Sequence, residues 1–91
     1  MLRESPSPSQ DPQTLALGAL GWILKNQDRA ERFLALTGLT PGMLRDSLED
    51  PATMAGVLEF LCSHEPDLVA AADALEVSPE TLVHALKRLG A

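Results

Sequence analysis

Five of the seven prolines in this chain form the pairs Asp11-Pro12, Thr40-Pro41, Asp50-Pro51, Glu65-Pro66 and Ser78-Pro79. No other feature restricts the fold as strongly. Proline lacks an N–H and has a fixed φ, so it suits the first turn of a helix and is expelled from helix interiors and central strands. Asp, Thr or Ser just before it can accept a hydrogen bond from the free amides of that first turn. Glu65 is the weakest of these caps. A further start, without proline, is expected at Asp28, with Gly38 as the stop after Thr37.

These marks predict helices over residues 12–26, 29–37, 41–48, 51–63, 66–75 and 79–89. No stretch alternates apolar and polar residues as a strand would, and aromatic residues make up only 3% of the chain. The expected fold is all-α: a compact bundle of about five to six short helices, pressed together by short connections. At 91 residues, with 45% hydrophobic and 22% charged, the chain has the size and balance of one soluble domain. That domain is expected over residues 11–91. Residues 1–10, with three serines, two prolines and nothing apolar after Leu2, are expected to form a disordered tail.

Spacing predicts the core. Met54, Val57, Leu58 and Leu61 form a stripe in the fourth helix, with Phe60 beside it. Leu68, Ala72 and Leu75 continue it in the fifth, and Leu82, Ala85, Leu86 and Leu89 in the sixth. In the first helix Leu15, Ala19, Trp22 and Ile23 lie on one side and Leu17, Leu20 and Leu24 on another. A helix this apolar is either surrounded by other helices or shared with a partner. Gly18 and Gly21 suggest close approach by a crossing helix. Trp22 reads as a core anchor, with a partner-facing hot spot as the alternative.

Little in the chain points to chemistry. The lone Cys62 can form no internal disulfide, and there is no cysteine pair to hold a metal. Cys62 and His64 are two apart, which on a helix turns them away from each other, so they suit neither shared ligation nor a thiol–base pair. Cys62 reads as an inert core thiol, and His64 as a residue at the end of its helix, where positive charge suits the dipole. No nucleophile elbow or phosphate-binding glycine loop occurs. The expectation is a protein without catalytic residues, cofactor or metal. The longest apolar stretch, Leu15 to Leu24, is about half a membrane span, and MLRESPSPSQ lacks the apolar core of a signal peptide. A cytoplasmic location is expected.

The segment LVAAADALEVSPETLVHALKRLG resembles a helix-turn-helix unit, with Val77 plugging the turn, Ser78 capping the second helix, and Leu82 and Leu86 anchoring it. Thr81, His84, Lys87 and Arg88 would then face outward. Two features oppose DNA recognition. The chain carries a net charge of −6, and Asp67, Asp73, Glu76 and Glu80 outnumber Lys87 and Arg88 in this unit. The corner also recurs 38 residues earlier: GLTPGMLRDSL at 38–48 aligns with EVSPETLVHAL at 76–86. Leu39 matches Val77, Thr40 matches Ser78, Pro41 matches Pro79, Leu44 matches Leu82 and Leu48 matches Leu86. A turn used twice, once before a helix carrying Asp46, reads as architecture.

Other stretches carry a family resemblance: FLALTGL at Phe33 to Leu39, D-P-A at Asp50 to Ala52, V-L-E-F-L at Val57 to Leu61, and Pro79-Glu80, after an aliphatic first helix ending near Trp22. Together they make residues 13–90 similar to a small bacterial helical family known only as a domain of unknown function. The resemblance implies an all-helical single domain and no established activity, cofactor or ligand. The chain therefore reads as a non-enzymatic interaction module for a partner protein or a second copy of itself, with Trp22, Thr81, His84, Lys87 and Arg88 as candidate contact residues. A divergent DNA-binding protein is the alternative.

Overall fold

A computed structural model describes residues 11–90; the expected tail at 1–10 lies outside the described residues. The chain forms α1 (Pro12–Leu24), α2 (Gln27–Thr37), α3 (Pro41–Asp46), α4 (Pro51–Cys62), α5 (Glu65–Leu75) and α6 (Pro79–Gly90). Four proline-marked starts are capped as their chemistry requires. A carboxylate oxygen of Asp11 accepts from the Thr14 N–H at 3.0 Å, and one of Asp50 from the Ala52 N–H at 3.0 Å. Thr40 accepts from the Met43 N–H at 3.1 Å, and Ser78 from the Thr81 N–H at 3.2 Å.

Two starts differ from expectation. Asn26, not Asp28, caps α2: its extended backbone (ψ 123°) aims Oδ1 at the Arg29 N–H, 2.9 Å away. Asp28 falls inside the first turn, where its charge suits the helix dipole. Glu65 is no cap either. It is already helical, and His64 occupies the cap position without a side-chain bond to the backbone. The first turn of α5 instead carries Glu65 and Asp67. His64 thus belongs to the start of α5, while Ser63 closes α4.

The core forms where the stripes meet. Ile23, Phe33, Met54, Val57, Leu58, Leu61 and Leu82 are fully buried. Each removes apolar surface from water at a gain of roughly 1.5–3 kcal/mol. Helix α4 sits at the centre, touching α1, α2, α5 and α6, and α1 also packs on α6. Phe33 meets Phe60 edge to face, with ring centroids 5.3 Å apart, and so joins α2 to α4.

The apolar first helix is only partly enclosed. Leu20 joins the core, whereas Leu17 and Leu24 remain 42% and 45% exposed. At Gly18 the anticipated close approach is present: an added Cβ would lie 2.9 Å from Leu75 Cδ2 of α5. At Gly21 it is not, since nothing lies within 4 Å. Trp22 is half-buried against the margin of the core rather than anchored inside it. Its ring is roofed by the Arg29 guanidinium, whose Cζ lies 3.6 Å from the ring centroid.

The two corners share a backbone turn but not its hydrogen bonds, the first closing with a single bond from the Gly38 N–H to Leu34 O at 2.9 Å. The residue after the first helix is left-handed in both, Gly38 (φ 76°) and Glu76 (φ 61°). Leu39 and Val77 then tuck, half-buried, against the core, and Leu44 and Leu82 are buried beyond the caps. In the second corner the Val77 N–H donates to Ala72 O at 2.9 Å and the Glu76 N–H to Asp73 O at 3.1 Å, the paired bonds of a Schellman ending.

Candidate binding groove

The outer side of α4 carries small residues. Ala52 and Gly56 are one turn apart, and Phe60 follows one turn later, its ring only 8% exposed. Facing them, α2 carries Leu36, which is 73% exposed although it lies one turn beyond the buried Phe33. Between the two helices lies an open groove of about 750 Å³. Leu36, Leu39, Ala52, Gly56 and Phe60 give it an apolar lining. Arg32, Glu59, His64, Thr37, Thr53 and Ser63 supply its polar edges. The volume is within the usual range for binding sites, and the mixture of apolar surface with a few polar groups is typical of them.

The charges at one end are ordered by Asp67 of α5, whose carboxylate is only 13% exposed. One of its oxygens accepts from Arg32 Nη2 at 2.9 Å and lies 3.0 Å from His64 Nδ1. Arg32 also lies over the Phe60 ring, with Cζ 5.4 Å from its centroid. Glu59 forms no ion pair among the described residues. Near it, burial raises the pKa of the half-buried Cys62 thiol, and the Glu59 charge raises it further. A protonated thiol is a poor nucleophile. Among the described residues no three His, Cys, Asp or Glu side chains cluster as a metal would require, and no helix is long and apolar enough to cross a membrane.

The residues singled out by sequence lie elsewhere. Thr81, His84 and Arg88 share a shallow depression of about 250 Å³ on α6 with Glu80 and Ala85. Thr81 is engaged with the Ser78 hydroxyl at 2.9 Å, within the cap. Lys87 is exposed outside that depression, and Trp22 lines neither hollow. Sequence reasoning missed Leu36, Gly56 and Glu59. For Leu36, at stripe spacing from Phe33, the sequence carried no signal; for the groove as a whole the one signal was an unexplained glycine in the middle of α4.

Comparison with curated proteins and with solved structures finds no match. A family profile, described as protein of unknown function (DUF3572), matches residues 9–91. That match spans every helix, both corners and both walls of the groove, and the chain belongs to the DUF3572 family.

Proposed function

We propose that this chain is a small non-enzymatic interaction module that takes up a protein partner along the groove between α2 and α4. The observation that carries this reading is Leu36, a large apolar side chain held 73% exposed on the edge of an apolar groove. Exposed apolar surface grouped around a concavity and rimmed by polar residues is how partner sites present themselves. The raised thiol pKa of Cys62 supports a role without nucleophilic chemistry, and a single cysteine suits a reducing, cytoplasmic setting. The α6 face gives the DNA-binding alternative less support, because Glu80 stands among Thr81, His84 and Arg88 where phosphates would pass.

Affinity capture from a native extract tests the reading, with the wild-type chain and Leu36→Glu compared side by side. The expected result is a defined protein held by the wild type and lost with Leu36→Glu, while thermal unfolding of the two is the same. A partner retained equally by both, or none held by either, overturns it.

A further inference from the structure

We infer that the groove accepts an amphipathic helical segment of a partner protein, apolar along one face and carrying lysine or arginine beside it. This rests on the reading of the chain as an interaction module. Shape is the first reason. The α4 wall runs from Ala52 to Ser63, about 17 Å at 1.5 Å per residue, which is roughly three helical turns. A groove between two helices, of that length, suits a third helix presenting apolar anchors about one turn apart.

Gly56 is the second reason. It lies midway along this wall, and an added Cβ would meet nothing within 4 Å. Its φ is not positive, so neither internal packing nor backbone geometry requires glycine there. Glycine inside a helix weakens it. Here its missing side chain leaves the α4 backbone open at the midpoint of the groove, where a facing helix can approach closely.

Charge is the third. Arg32 and His64 both turn to Asp67, so the guanidinium at that end already has an acidic partner. Asp50, which caps the other end of the wall, turns a carboxylate oxygen to the Ala52 N–H. Glu59 stands on the wall without an ion pair among the described residues. With Arg32 paired to Asp67, the charge left unpaired on the groove lining among the described residues is the negative one of Glu59, on a chain of net charge −6. It attracts a basic segment and repels a second copy of the chain.

A phage-displayed library of random 16-residue peptides, selected against the full chain, tests this inference. The enriched sequences are then synthesised and titrated against the wild type, Gly56→Leu and Glu59→Lys. Gly56→Leu fills the groove from a position with free space, and Glu59→Lys alters only an exposed charge. The expected outcome is enrichment of basic sequences with apolar residues at helical spacing. Their binding should weaken at least tenfold with Gly56→Leu and severalfold with Glu59→Lys, and should shift the amides of Leu36 and Gly56 in the wild type.

Acidic, neutral or proline-rich extended sequences that still depend on the groove overturn the helical basic assignment and leave the interaction reading standing. No enrichment, or peptides indifferent to both substitutions, overturns the assignment as well. A chain that sediments as a dimer and becomes monomeric with Glu59→Lys or Gly56→Leu makes a second copy the occupant instead. Should Gly56→Leu fail to fold, the Glu59→Lys titration decides alone: undiminished binding of basic peptides overturns the inference.

Discussion

Glu76 holds a backbone conformation that glycine adopts freely and an L-residue with a Cβ does not (φ 61°, ψ 40°). Its counterpart in the earlier corner is Gly38, at φ 76°. Replacing Glu76 with glycine is expected to raise the unfolding free energy by roughly 1 kcal/mol, and Gly38→Ala to lower it by about as much. Urea denaturation of the two variants checks the pair, and an unchanged or weaker Glu76→Gly protein would contradict the strain. Trp22 offers a second residue-scale test. Arg29 covers its ring and donates to its carbonyl oxygen. Arg29→Ala is expected to cost about 0.5–1 kcal/mol, the range for an exposed cation–π contact, and to red-shift the emission of the single tryptophan. An unshifted spectrum would show that the guanidinium does not shield the ring.

The corners belong to the scale of the element. Thr40→Ala and Ser78→Ala should each lower stability by about 0.5–2 kcal/mol, the usual loss for a helix cap. Val77→Ala should cost more than neutralising the exposed Lys87 and Arg88 together, since Val77 packs against the core and exposed charges contribute little. Denaturation of the four variants ranks them, and the opposite order would move attention to the outer face of α6. The same elements show what the sequence made legible. Proline after a capping residue is a local signal, and it located α1, α3, α4 and α6 to within a few residues at each end. The start of α2 was misplaced because Asn26 and Asp28 both have capping chemistry, and only the backbone turn chooses between them. The groove was not legible at all. Leu36, one turn beyond Phe33, reads as a core leucine until the structure shows it 73% exposed, and Gly56 as an ordinary small residue until the space beside it is known to be empty. Such facts arise from how α2 settles on α4, across a long separation in sequence.

For the whole molecule, charge gives the clearest expectation. With a net charge of −6 and Glu80 in the same depression of α6 as Arg88, no binding to duplex DNA tighter than ~10⁻⁴ M is expected at physiological salt, the weak end of the non-specific range. Micromolar, sequence-selective binding with a steep salt dependence would reverse the ranking of the two readings. Attachment to the core is also uneven. Helix α2 gives the core one fully buried side chain, Phe33, and is tied to α5 by the Arg32–Asp67 bridge; α1 and α4 contribute five or more buried residues each. Helices held so differently open at different free energies. Amides of α2 should exchange with solvent through partial openings, well before those of α1 and α4, and equal protection in all three would contradict this. One wall of the groove can then swing while the rest of the fold stays closed. A segment seated there would slow α2 exchange selectively, leaving a kinetic signature of occupancy even where it adds little to overall stability.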